Sequence, residues 1–169
     1  MSQENPYAPP LAAVADIGTG TSTSAGTPCP PLWNPGAAAS WSLLFSPLFG
    51  AILHMKNWQA MGEPEKAAAS KTWAIVTAAF LVLSILLVVA LPESKGADLL
   101  GRVGGFALLI AWYYSLGKSQ SAVVIARYGE HYPRKGWAKP LGLAVAAMLA
   151  FVLVATAVGL AAAVLSGTI

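Results

Sequence analysis

Residues 140–169 carry no charged side chain. Within them, Leu141–Leu165 is an apolar run long enough to cross a bilayer core with some tilt. Thr72–Pro92 is a second run without charge. Lys71 and Trp73 stand at one end of it, as a membrane interface requires, and Pro92 and Glu93 at the other, as a helix stop. Two such runs in 169 residues leave little chain from which to build a water-exposed surface. Charged residues make up 10% of the sequence and apolar ones 56%, with a mean hydropathy of +0.62. Soluble domains carry about 25% charge. The composition therefore excludes an ordinary soluble domain, a disordered chain and a disulfide scaffold. The expected class is an all-α integral membrane protein.

Two further segments complete the expected membrane domain, 37–169. Residues 99–117 form a third, less apolar span, with Trp112, Tyr113 and Tyr114 suited to an interface. Asp98 and Arg102 stand four apart and predict an ion pair at its start. Ser119–Tyr128 reads as a helical extension stopped by Gly129. Residues 38–55 are apolar but short, with Ser46-Pro47 and Gly50 in the middle, where proline removes a backbone donor and kinks a helix. This broken segment reads as a fourth span, slightly preferred, or as a broken, re-entrant or interfacial hairpin with Trp41 and Trp58 held at the headgroups. The expected bundle thus has three firm helices, near 72–92, 99–117 and 141–165, plus the broken segment.

Residues 1–36 are rich in Pro, Gly, Ser and Thr and are expected to form a disordered tail, because they bury too little apolar surface to offset the entropy of ordering. No cleavable signal peptide is expected, so the first apolar segment would serve as an uncleaved one. Cys29 is the single cysteine, and it reads as an ordinary thiol because no second one is present to pair with it.

The ten basic residues set the topology. Lys56, Lys66 and Lys71 lie in the linker 56–71. Lys118, Arg127, Arg134, Lys135 and Lys139 lie in the linker 118–139. Lys95 and Arg102 face the other side. Eight basic residues against two place both linkers in the cytoplasm and the C-terminus in the periplasm. The tail lies outside if 38–55 spans and inside if it is a hairpin.

Few groups could carry chemistry. His54 and His131 are the only histidines. They are far apart, whereas a hydrolytic metal site needs about three ligands. No metal, cofactor or catalytic residue is expected, and a net charge of +3 is too small to indicate nucleic acid. Thr77 and Ser84 share a helix face and are expected to bond across helices. Gly101 and Gly105 have the small-xxx-small spacing of close helix packing, as do Gly142 with Ala146 and Ala155 with Gly159 and Ala163. Arg134, Lys135, Trp137 and Lys139 form a basic aromatic cluster suited to anionic lipid.

Trp33-Asn34-Pro35, Ser40-Trp41-Ser42, Phe45, Pro47-Leu48-Phe49-Gly50 and Asn57-Trp58, with the Asn5-Pro6-Tyr7 opening, resemble small uncharacterised bacterial inner-membrane proteins that have a Pro-rich tail. The resemblance implies a bacterial inner membrane and no catalytic residue. The expected function is non-enzymatic contact with another protein in the bilayer. A sharper version is an immunity protein against a membrane-acting toxin, and the alternative is an oligomeric transporter or pore component. The expected partners are membrane lipids, a membrane protein or toxin, and further copies of the chain.

Overall fold

A computed structural model describes residues 28–91, 94–165 and 167, so most of the expected tail lies outside the described residues. The described chain is helical. Its helices are α1 (Pro35–Phe45), α2 (Pro47–Ala60), α3 (Pro64–Ala90), α4 (Lys95–Trp112), α5 (Lys118–Tyr128) and α6 (Ala138–Leu165). A π-helical segment, Tyr113–Gly117, joins α4 to α5 without a break. Among the described residues, three helices are long and apolar enough to cross a membrane: α3, the continuous Lys95–Tyr128 helix, and α6.

Local chemistry sets the helix starts. α1, α2 and α3 each begin on a proline, whose missing N–H costs nothing in the first turn. Asn34 caps α1 by accepting from the Ala37 N–H at 3.2 Å, and Ser94 caps α4 by accepting from the Ala97 N–H at 3.3 Å. Asp98 and Arg102 pair at 2.9 Å on the exposed face of α4, as their spacing predicts.

The broken segment is a helical hairpin, and neither of its helices is among the three long enough to span. Its ends meet: the Trp33 N–H donates to Asn57 Oδ1 at 3.0 Å, at the start of α1 and near the end of α2. The reversal is made at Ser46, with φ +92° and ψ 159°. Pro47 forces the preceding residue to an extended ψ, and the turn then needs positive φ, a combination that suits glycine. Ser46→Gly is therefore expected to stabilise the hairpin by about 1 kcal/mol, read as a raised unfolding midpoint in detergent. An unchanged or lower midpoint would contradict the strain at Ser46.

The buried residues gather at one end. On α3 they are Ala67, Ser70, Ala74 and Thr77, at the three- and four-residue spacing of one helix face. On the Lys95–Tyr128 helix they are Trp112, Gly117, Gln120 and Val124. On α6 the only one is Pro140, in the first turn. Leu32, Trp58, Met61, Ala67, Val124 and Tyr132 make one cluster, and Ala51, Ala74 and Trp112 a second. This packed head sits at the end that carries the basic linkers. Beyond it the long helices touch sparingly, and leucines such as Leu83, Leu143 and Leu153 are exposed.

Candidate functional site

A buried polar clamp holds the head together. It begins with residues 28–34, a stretch the sequence reading places in the tail. Leu32 has no accessible surface, packed in the cluster with Trp58, Met61, Val124 and Tyr132. Its backbone pairs on both sides: the Leu32 N–H donates to the Pro133 carbonyl at 3.0 Å, and the Lys135 N–H donates to the Leu32 carbonyl at 2.8 Å. The Trp33 indole donates to the Gly136 carbonyl at 3.1 Å, and the Lys135 ammonium lies 4.3 Å from the Trp33 ring centre. These residues are ordered because they reach a preformed apolar pocket and satisfied backbone partners, which composition alone does not reveal.

Asn57 is the centre of the clamp. It accepts from the Trp33 N–H, and its Nδ2 donates to the Trp33 carbonyl at 2.8 Å and to Gln120 Oε1 at 3.2 Å. Gln120 Nε2 donates to the His54 carbonyl at 2.9 Å. His54 Nε2 lies 3.2 Å from the Pro35 carbonyl, which can only accept, so this nitrogen carries the hydrogen. The His54 ring meets the Trp112 ring edge-on at 5.1 Å. Asn57, Gln120 and His54 are all fully buried, where each amide left unpaired would cost about 1–3 kcal/mol. The arrangement locks α1, α2 and α5 in one register. Its amides are occupied in holding the fold, and His54 is a core residue bonded through Nε2, its buried Nδ1 having no hydrogen-bond partner among the described residues.

The π segment sets that register. The buried positions on its helix run Trp112, Gly117, Gln120 and Val124. The step of five between Trp112 and Gly117 exceeds the three or four of an α-helix, and the Lys118 N–H reaches back five residues to the Tyr113 carbonyl. Two serines satisfy carbonyls at this bulge: Ser115 donates to Trp112 O at 3.1 Å, and Ser119 to Leu116 O at 2.8 Å. Gly50 makes room for the Trp112 ring, since a Cβ there would overlap both Ser42 Oγ and the indole.

Ion pairs tie the outer edge. Glu63 accepts from Arg127 at 2.7 Å and pairs with Lys66 at 3.3 Å. These two cations, Arg127 foremost, hold the Glu63 carboxyl below its ordinary value of 4.5. A lowered carboxyl pKa means a stabilising contribution that is complete above about pH 4.5 and is lost as the pH falls through the folded-state value. The exposed setting keeps the effect small. Glu63→Gln is expected to flatten the acid limb of the unfolding midpoint between pH 5 and pH 3, at about the scale of one exposed ion pair. An acid limb as steep as that of the unsubstituted protein would rule the pair out as a contributor. Burial pushes the Tyr132 hydroxyl up.

The residues singled out by sequence are only partly brought together. Arg134 lies 5.4 Å from the Tyr132 ring centre and donates to the Glu130 carbonyl at 3.2 Å. Lys135 covers Trp33, Trp137 is half-buried and Lys139 is exposed. Trp58 does not reach the surface: it is 1% exposed in the head core, under Lys66. Thr77 and Ser84 do not bond across helices. Each hydroxyl donates to its own helix, to Trp73 O at 2.9 Å and Phe80 O at 2.8 Å, a local partner always within reach.

The small-residue pattern also shifts. A Cβ at Gly101 would meet open space, and one at Gly105 would only touch Phe80. The close approach of α3 to α4 is made by Gly104, whose Cβ would fall 2.9 Å from the Phe80 ring. Gly142 and Gly159 face open space and Ala146 is exposed, while Ala155 and Ala163 are half-buried. Sequence reasoning missed the close packing at Gly50 and Gly104 and the buried bonding of Asn57 and Gln120. The signal for the last two was polar residues falling on otherwise apolar helix faces.

Comparison of the chain with known protein families, with curated proteins and with solved structures finds no match.

Proposed function

We propose that the protein is a non-enzymatic, multi-pass protein of the bacterial inner membrane that acts by helix contact within the bilayer. The observation that carries this reading is α6. It is a 28-residue apolar helix with no buried residue beyond Pro140. Leu141, Ala144, Ala155 and Val158 lean on the rest of the chain, whereas Gly142, Ala146 and Ala150 are exposed on another face. Small residues let a second helix approach closely. The shallow apolar groove along α3, lined by Ile75, Ala79, Val82 and Leu86, adds a further surface of the same kind.

The narrower reading is an immunity protein that protects its own cell from a membrane-acting toxin. Deleting the gene in a strain that carries such a toxin is expected to sensitise the cell. The wild-type gene, but not Gly142→Leu/Ala146→Leu, should restore survival at equal protein level. Survival of the deletion strain would remove the immunity reading. Full rescue by the doubly substituted protein would remove the contact face. A ladder of crosslinked copies of this chain alone, in native membranes, would favour the transporter or pore reading instead.

The basic linkers are assigned to the cytoplasm and the C-terminus to the periplasm. The hairpin returns the chain to its starting side, so the N-terminus joins the linkers. A fluorescent protein fused to the N-terminus is expected to fluoresce, and alkaline phosphatase fused to the C-terminus to be active. The reverse pattern would overturn the orientation.

A further inference from the structure

We infer that the α1–α2 hairpin enters a single leaflet of the bilayer, the one on the basic side, and that the acyl chains of that leaflet cover its tip. The inference rests on reading α3, the Lys95–Tyr128 helix and α6 as spans, and is independent of the contact proposed for α6.

Depth follows from register. α2 and α3 run antiparallel. Trp58 shares a cluster with Ala67, and seven residues further along each helix Ala51 shares one with Ala74. The same register brings Pro47, the first residue after the turn, level with Ala78. The last cation on α3 before its apolar run is Lys71. Seven residues of helix separate Lys71 from Ala78, about 10 Å. Half of a hydrocarbon core is about 15 Å. The tip therefore passes the headgroups and stops short of the midplane. The exposed Tyr113 and Tyr114 on the neighbouring helix lie near a matching level, because the adjoining Trp112 packs with Ala74.

The surface of the hairpin suits that place. No charged side chain occurs from Ile17 to Met55. Leu43 and Leu44, at the end of α1, are 67% and 68% exposed. Trp41, Phe45 and Phe49 form an aromatic ladder across the turn, with ring centres 6.0 and 5.4 Å apart. Two backbone bonds hold the turn, from the Ser46 N–H to Ser42 O at 3.0 Å and from the Phe49 N–H to Ser46 O at 3.1 Å. Irregular backbone at depth requires such pairing. At the base, exposed Lys56 and Lys71 suit anionic headgroups. The clamp at Asn57 fixes the base, and with it the depth.

The single cysteine makes the test direct. In a Cys29→Ser background, Leu44→Cys carries an environment-sensitive fluorophore. The full-length protein is reconstituted in phosphatidylethanolamine–phosphatidylglycerol vesicles. Nitroxide lipids labelled high or low on the acyl chain, and aqueous iodide, serve as quenchers. Leu83→Cys on α3 is the bilayer control and Lys66→Cys the aqueous one. Quenching at Leu44→Cys by the shallow nitroxide, at least threefold stronger than by the deep nitroxide or by iodide, is expected. Iodide quenching equal to that at Lys66→Cys would overturn the inference, as would protection from all quenchers, which would mean that protein covers the tip. Stronger quenching by the deep nitroxide would overturn the single-leaflet depth. Loss of lipid quenching at Leu83→Cys as well would refute the span reading itself. If Leu44→Cys does not fold, Leu43→Cys takes its place.

Discussion

Asn57→Leu is expected to lower the stability of the head by roughly 3 kcal/mol or more, from about 1–3 kcal/mol for each buried group left unpaired. Leucine keeps the branching and heavy-atom number of the asparagine side chain but leaves the Trp33 N–H, the Trp33 carbonyl and Gln120 Oε1 without their partner. The apolar gain is small because the neighbours that receive the side chain are polar. Thermal unfolding in detergent, followed by tryptophan fluorescence, measures the effect through Trp33 and Trp58. Helicity by circular dichroism should fall little, since α3, α4 and α6 make their own backbone hydrogen bonds. A double-mutant cycle with Gln120→Leu should be strongly non-additive, as members of one network are. A midpoint within two degrees of the unsubstituted protein, a margin well inside the shift of several degrees that roughly 3 kcal/mol would cause, would show that the clamp is incidental.

Gly50→Ala tests the other junction. The new methyl would overlap Ser42 Oγ on α1 and the Trp112 ring on α4. Neither neighbour yields easily. Ser42 is 1% exposed with its hydroxyl bonded to Ala38 O at 2.9 Å, and Trp112 has no accessible surface. Overpacking of this kind costs about 1–3 kcal/mol, and a clash on two sides places Gly50→Ala at the upper end. The expected result is a lower unfolding midpoint and greater exposure of His54 to chemical modification. Trp112→Phe should recover part of the loss, because the smaller ring withdraws the atoms that collide. If Trp112→Phe makes the double variant worse, the clash is not the cause.

How far sequence carries is visible in particular residues. The long apolar runs and the linker charges were enough to find α3, α4 and α6, because a bilayer imposes length and charge rules that act locally. The Asp98–Arg102 pair and the stop at Gly129 were legible for the same reason. The hairpin was not decided, since a proline in an apolar run fits a kinked span as well as a reversal. The choice depends on Asn57 meeting Trp33, a contact between residues far apart in the chain. Leu32 was hidden by its neighbours: proline-rich composition describes the average segment and not one side chain in a pocket. The glycines at 101 and 105 have the expected spacing, yet Gly104 makes the contact, because spacing gives the face of a helix only to within a residue.

The joining of Leu32 and Trp33 to residues 133–136 also governs when this protein can assemble. The Trp33 indole and its partner at Gly136 are 103 positions apart. Contacts this distant in sequence slow the closing of a fold. On the ribosome the head cannot close until Gly136 has been made, after α1 to α5. Until then Trp33 and Leu32 wait without their pocket while α3 and α4 are already placed. The head therefore closes only after α1 to α5 have been made, and a chain truncated before residue 133 would form those helices and still lack it.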